Sequence, residues 1–241
     1  MAKKFAVFDI DGTLIRWQLF HVIFKKLGKA GHYQPGDYER LQTAHKAWKT
    51  RATDESFKEY EAVLIDIVVR NLSHVPVAAY HTIIDQALDE YKDQVYRYTR
   101  DLIKELKLQG YTILAISGSP SEAIKQLAEY YGFDDFVGTV HYRKNGLLTG
   151  KIEETFNRKP QLLKQLVARH GLSFAGSIGV GDSEGDLSML ELVEQPIAFN
   201  PSKKLFTHAQ AKGWKIVIER KNMIYELEPA GGKYVLTHTN A

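Results

Sequence analysis

Four short runs in the sequence are apolar at nearly every position instead of at every second one: "FAVF" from Phe5, "YTILAI" from Tyr111, "SIGVG" from Ser177 and "KIVI" from Lys215. "PIAF" from Pro196 is a weaker fifth. A strand with one face in water alternates apolar and polar residues, whereas a strand covered on both faces has no reason to. The runs therefore predict a parallel sheet with helices on both sides. Helical patterns stand between them: "RDLIKELKLQG" from Arg100, "SPSEAIKQLAEYYG" from Ser119, "KPQLLKQLVARHG" from Lys159, "EGDLSMLELV" from Glu184 and "KKLFTHAQAKG" from Lys203. Gly110, Gly132 and Gly171 close the first three, and Pro160 suits a first helical turn. Strand alternating with helix from about residue 97 onward predicts an α/β fold built on a doubly wound, mostly parallel sheet.

The stretch after the first run breaks that rhythm. From Trp17 to Tyr96 the pattern is helical nearly throughout, as in "SFKEYEAVLIDIVVRNL" and "VAAYHTIIDQALDEYKDQV". An α/β crossover uses one helix, so about 80 residues of helices read as an insertion. Residues 17–96 are expected to form a helical cap domain, and residues 1–16 with 97–241 the α/β core. Two hairpins are also predicted, one turning at Asn145-Gly146 and one in the tail at Ala230-Gly231-Gly232.

Composition narrows the function classes. The net charge of +3, from 32 basic and 29 acidic residues, is too small to argue for nucleic acid. With no cysteine, disulfides, thiolate nucleophiles and Cys-based zinc sites are excluded, which fits a reducing compartment. No window approaches the roughly 18 uninterrupted apolar residues of a membrane span. The apolar run after "MAKK" is stopped by Asp9 and has no small-residue cleavage site, unlike a secretory signal. These features predict a soluble cytoplasmic protein with no membrane or nucleic-acid partner.

In an open parallel sheet, ligands bind beyond the carboxyl ends of the strands, so the polar residues there belong together. The first run delivers Asp9 and Asp11, "YTILAI" delivers Ser117 in "SGSP", and "SIGVG" delivers Asp182 and Asp186 in "GDSEGD"; Lys159 heads a helix. Several carboxylates in one crevice repel each other unless some stay protonated or a cation joins them. Hard oxygen donors without His or Cys select Mg²⁺, which commonly also binds substrate phosphate. A serine hydroxyl and a lysine ammonium suit the remaining phosphate oxygens. One carboxylate can then attack phosphorus, and a second, two residues on, can move protons.

"DIDGT", "SGS", Lys159 and "GDSEGD" resemble, in that order, the four motifs of the haloacid dehalogenase superfamily of phosphohydrolases. The insertion lies where the C1-type caps of the phosphoserine-phosphatase-like branch lie. The resemblance spans about residues 5–218, and a DxDGT motif directly after an apolar strand with GDSxxD at this distance is a specific combination. It implies a Mg²⁺-dependent phosphomonoesterase acting on a small phosphate ester through an aspartyl-phosphate. Asp9 would be the nucleophile and Asp11 the general acid/base. Ser117, Gly118 and Lys159 would hold the phosphoryl group. Asp9, the backbone carbonyl of Asp11 and Asp182 would bind the metal, with Asp186 supporting or ligating.

Departures from that branch bear on the substrate. Phosphoserine phosphatases carry a Glu nine residues after the nucleophile, where this chain has Gln18, and a cap Arg, which ungapped matching places at Leu64. An Asn before the last Asp of the fourth motif is replaced by Gly185. Phosphoserine is thereby disfavoured, and Gln18 is a candidate specificity residue. The histidines show no metal-ligand spacing; His21, His32 and His45 are expected to be solvated or substrate-facing, and "HKAWKTR" from His45 to be a solvated helix face. The same residues allow phosphoryl transfer to an acceptor other than water. A silent phospho-ligand-binding module is a third reading, against which the intact motifs speak. Dehalogenation would leave Asp11 without an alkoxide to protonate.

Overall fold

Successive residues of the first strand divide between two apolar cores. In the computed structural model, which describes residues 3–240, β1 (Phe5–Phe8) sends Ala6 and Phe8 to one face of the sheet and Phe5 and Val7 to the other. Both faces are covered, so every residue of β1 is buried and the run has no polar position. The first face packs against α5 (Arg97–Leu108) and α6 (Ser121–Tyr131). The second packs against α7 (Lys159–Arg169), α8 (Leu187–Leu190) and α9 (Lys203–Lys212).

The remaining strands are β2 (Thr112–Pro120), β3 (Asp135–Lys144), β4 (Leu147–Glu153), β5 (Ile178–Gly181), β6 (Gln195–Phe199), β7 (Lys215–Arg220), β8 (Met223–Ala230) and β9 (Lys233–Asn240). They lie in the order β4-β3-β2-β1-β5-β6-β7-β8-β9. From β3 to β7 the pairing is parallel; β4 at one end and β8–β9 at the other are antiparallel. The fold is thus a doubly wound, mostly parallel α/β sheet. The chain builds outward from β1 to β3 and then restarts on the opposite side at β5. That reversal opens a crevice at the carboxyl ends of β1 and β5.

Between β1 and α5 lie α1 (Leu19–Lys29), α2 (Asp37–Lys49), α3 (Ser56–Asn71) and α4 (Val77–Tyr91). The chain leaves and re-enters the sheet at neighbouring points. Arg16 N–H donates to the Gln94 carbonyl and Tyr96 N–H to the Leu14 carbonyl, both at 2.9 Å. Glu219 of β7 fixes this stem by accepting from the backbone of Arg97 and Tyr98 and from Arg16 Nη2 at 3.3 Å. Apolar residues of α1, α3 and α4 belong to the same core cluster as Ala6 and Phe8, so the helices rest on the sheet's first face. No helix among the described residues is long and apolar enough to cross a membrane.

Both predicted hairpins form, as β3–β4 around Asn145-Gly146, each with positive φ, and as β8–β9 around Gly231-Gly232. Two elements differ from expectation. Residues 135–137 pair parallel with β2, although the local sequence is "DDFV". The acids hid that strand, but they are satisfied locally: Asp134 accepts from Ile113 N–H, and Asp135 pairs with Arg169 at 3.0 Å. The helix expected over "EGDLSMLELV" shrinks to a 3₁₀ turn, Glu184–Asp186, and the single turn of α8, because the Asp186 carboxylate folds back onto the backbone ahead of it.

Candidate active site

The last backbone contact of the first strand, Asp9 N–H to the Val180 carbonyl at 2.9 Å, puts Asp9 at the mouth of the crevice beside β5. Asp9 is buried, at 4% exposure. Lys159, the first residue of α7 and equally buried, donates to Asp9 Oδ1 at 2.7 Å and to Asp186 Oδ1 at 2.6 Å. Asp9 Oδ2 accepts no hydrogen bond among the described residues, so one oxygen is anchored and the other is free. Asp186 Oδ2 accepts from Ser183 N–H and Ser183 Oγ, each at 3.0 Å, and from Asp182 N–H at 3.2 Å. That carboxylate therefore shapes the loop as well as charging the crevice.

Asp9, Asp182 and Asp186 each offer an oxygen within 4.8 Å of the others'. Gly12 makes this approach possible. It has φ +82°, and a side chain there would run into the Asp182 carboxylate. Burial pushes the Asp9 carboxyl up to about 7; Lys159 opposes the rise, and Asp186 and Asp11 add to it. Burial, with Asp9 and Asp186, also raises Asp182 well above the usual range. For Lys159, burial disfavours the charge, but Asp186 and Asp9 together outweigh it and push the ammonium up. Two carboxyls that resist ionisation beside one lysine form a site short of positive charge.

Asp11 lies outside the group of three. Its Oδ2 accepts from Ser117 Oγ at 2.6 Å, and its Oδ1 from Leu19 N–H at 2.6 Å and Ser119 Oγ at 3.0 Å. Leu19 opens α1, whose first N–H groups have no partner within the helix, so Asp11 ties the inserted helices to the crevice. The Asp11 carboxylate is not among the three gathered within reach of one ion. Ser117 is buried, and its carbonyl accepts from Thr155 Oγ1 at 2.8 Å. Gly118 is exposed between two buried serines, with open space where a side chain would stand. Sequence reasoning missed Ser119. Ser117 and Ser119 are two apart on a strand and so share a face, the signal that could have found it.

Gln18 immediately precedes α1, half-buried, and lines a cavity of about 540 Å³ together with Gly12 and residues of α1, α2, α3 and α4. The expectation of a solvated face for "HKAWKTR" holds for Lys46, Lys49, Thr50 and Arg51, which are exposed, and is corrected for His45 and Trp48. His45, Trp48 and Lys49 line this cavity, where Trp48 stacks on Tyr60 with ring centroids 5.1 Å apart. Helical periodicity marks a face but not whether the face meets water or a cavity. His21 is buried beside Trp48, Phe57 and Tyr60 and lines the same cavity; His32 is half-buried. A larger hollow, about 1020 Å³, is lined by Ile178, Gln195 and Lys215, the first residues of β5, β6 and β7. It lies at the amino edge of the sheet, away from the carboxylates.

A family model described as haloacid dehalogenase-like hydrolase matches residues 6–191, which include Asp9, Ser117, Lys159 and Asp186. The chain belongs to that family. Among relatives of this haloacid dehalogenase-like hydrolase, a phosphoserine phosphatase of Archaeoglobus fulgidus is 26% identical over 206 residues, 84% of this chain. The chain spans only 54% of that protein's length. A histidinol-phosphatase of Neisseria meningitidis is 26% identical over 232 residues, covering 89% of this chain and 98% of its own. Among solved structures, a phosphoserine phosphatase captured as a phospho-aspartyl intermediate analogue superposes with a TM-score of 0.63. That match covers 92% of this hydrolase and 95% of the other chain at 23% identity, a likeness of fold.

Proposed function

We propose that this hydrolase is a Mg²⁺-dependent phosphomonoesterase that cleaves a small phosphorylated metabolite through an aspartyl-phosphate on Asp9. The observation that carries the reading is the division of Asp9's carboxylate: Lys159 holds Oδ1 and leaves Oδ2 free at the mouth of the crevice. Lys159 thereby orients the nucleophile. Oδ2 attacks phosphorus, the bond from phosphorus to the ester oxygen breaks, and Asp11 in its protonated form gives that oxygen a proton. Asp11 then takes a proton from the water that hydrolyses the acyl-phosphate, returning Asp9. Ser117, the Gly118 backbone and Lys159 hold the phosphoryl oxygens. The names of the relatives, phosphoserine phosphatase and histidinol-phosphatase, support a phosphate ester as substrate.

Three crowded carboxylates and no His or Cys suit a hard divalent cation. Asp9, Asp182 and the Asp11 carbonyl would hold it, with Asp186 supporting. When bound, Mg²⁺ supplies the positive charge that the site lacks and stabilises the charge gathering on the phosphoryl oxygens. The deciding assay is Mg²⁺-dependent release of phosphate from p-nitrophenyl phosphate; no release at any Mg²⁺ concentration sinks the reading. A calorimetric scan gives a second test. Mg²⁺ at about 100 times its Kd adds about 2.7 kcal/mol to a state that alone binds it, raising Tm by roughly 5–10 °C. The rise should shrink below pH 7, where protons compete for Asp9 and Asp182, and should nearly vanish in Asp182→Ala.

Residues 17–96 act as a cap on the core of residues 1–16 and 97–241, excluding water and reading the leaving group. Phosphoserine fits this cap poorly. Leu64, at the position of the branch's cap Arg, is wholly buried in the apolar core. Gln18→Ala should change kcat/KM unequally across a panel of phosphate esters, with p-nitrophenyl phosphate affected least. A uniform loss would show that Gln18 supports the fold instead of the choice of substrate.

A further inference from the structure

The cavity lined in part by Gly12 carries a charge imbalance that neither the fold nor the phosphoryl chemistry uses. Four lysines line it, Lys25, Lys26, Lys29 and Lys49, against one carboxylate, Glu90. Lys26 takes Glu90 at 2.8 Å. Among the described residues, Lys25, Lys29 and Lys49 have no carboxylate partner. Lys25 Nζ instead stands 3.3 Å from His45 Nδ1, and Lys49 lies over the rings of Trp17 and Trp48. Holding these groups together costs electrostatic energy. Partial burial lowers Lys25, and Lys49 and Lys29 lower it further. His45 is lowered by burial and then by Lys25 and Lys49. An anion in the cavity would relieve that repulsion and gain charge-assisted hydrogen bonds.

The floor of the cavity is aromatic. Trp48 and Tyr60 stack with their planes 13° apart, and Phe57 stands 5.3 Å from the Trp48 ring. A volume of about 540 Å³ falls in the range of small-molecule sites. Its lining includes Gly12, where even a Cβ would run into the Asp182 carboxylate, as well as the lysines of α1 and Lys49 of α2. A substrate with its phosphoryl group at Asp9 therefore sends its leaving group toward the lysines. We infer that the substrate's alcohol carries a second anionic group, a carboxylate or a second phosphate, on a flat or apolar body that lies along Trp48 and Tyr60, with Lys25 and Lys49 meeting the anion.

This inference rests on the phosphomonoesterase reading, and its test separates the two. Matched esters differing only in the second anion are compared by kcat/KM: phenyl phosphate against 4-carboxyphenyl phosphate, phenyl phosphate against 1,4-phenylene bisphosphate, and adenosine 5′-monophosphate against adenosine 3′,5′-bisphosphate. In at least one pair the wild type should prefer the dianionic member by about tenfold or more, the scale of one charge-assisted contact. In Lys25→Gln/Lys49→Gln that ratio should fall to within about twofold of unity, as expected when the contacted charge is removed. The first pair reports a carboxylate and the other two a phosphate. Flat ratios in all three pairs, or a preference that survives the double variant, overturn the inference. If the wild type does not turn over even p-nitrophenyl phosphate, it is the phosphatase reading that falls. The same pairs are then titrated calorimetrically into Asp9→Asn protein with and without the lysine substitutions. Tighter binding of the dianionic member that depends on the lysines upholds the inference, and equal affinities reject it.

Discussion

Asp9→Asn is expected to abolish turnover, by at least about a thousandfold, in a protein that still folds. The amide keeps the shape of the carboxylate, and its oxygen can still accept from Lys159, but it is a very poor nucleophile. The fold tolerates the change because burial already pushes the Asp9 carboxyl up to about 7, so the native site does not demand a full negative charge there. Circular dichroism and a melting scan establish folding; a sensitive phosphate assay reads activity. More than a few per cent of wild-type turnover would remove Asp9 from the nucleophile's role. Asp11→Asn should behave differently. The Asn oxygen can still accept from Leu19 N–H and Ser119, and its NH₂ can donate to the Ser117 hydroxyl. The site thus keeps its shape but loses the proton donor. An alkyl phosphate, which needs that proton on its leaving oxygen, should lose far more rate than p-nitrophenyl phosphate, which does not. Equal losses would assign Asp11 a structural role.

Why these residues were legible in the sequence, and others not, has a physical basis. A strand buried on both faces shows its end, because the apolar run stops where the backbone leaves the sheet. Asp9 and Asp182 stand at such stops, Ser117 stands where the apolar run of β2 ends although the strand continues to Pro120, and the parallel topology brings these positions together. Lys159 was legible because Pro160 marks a helix start, and the start of α7 faces the same crevice. The parallel part of β3 was not, since its acids find partners on β2 and at the end of α7, out of reach of a local pattern. Nor was the inward face of α2. His45 looks like a solvent residue, and only the placement of Trp48 against Tyr60 of α3 shows that this face meets a cavity, with Lys49 at its exposed rim. The inserted helices were readable from the change of periodicity, but their tie to the site runs from the backbone N–H of Leu19 to the Asp11 carboxylate, a donor that no side-chain pattern records.

Lys159→Met should be the most destabilising single change in the crevice, and its cost should depend on pH. The substitution is close in volume but removes the one cation that, among the described residues, touches both Asp9 and Asp186. Breaking a buried pair from one side typically costs about 3–5 kcal/mol, because the remaining charge is left uncompensated. The sign with pH follows from the carboxyls. Asp9 is already raised in the folded protein, by burial first and against the opposing pull of Lys159. Without the lysine it rises further. Well below the ordinary carboxylate range, near pH 2, folded and unfolded chains are both largely protonated and the variant should lie near the wild type. As pH rises, the unfolded chain ionises while the folded carboxyls hold their protons, so stability falls by up to about 1.4 kcal/mol per pH unit for each such group. Below about pH 7 Asp9 keeps its proton in both folded proteins, so the gap between variant and wild type, read from urea midpoints, should widen chiefly as pH rises through 7 toward 9. Millimolar Mg²⁺ should narrow it again at pH 8 by supplying the missing charge. A gap that stays constant across that range would mean that Lys159 contributes by packing, and that the carboxylates find their counter-charge elsewhere.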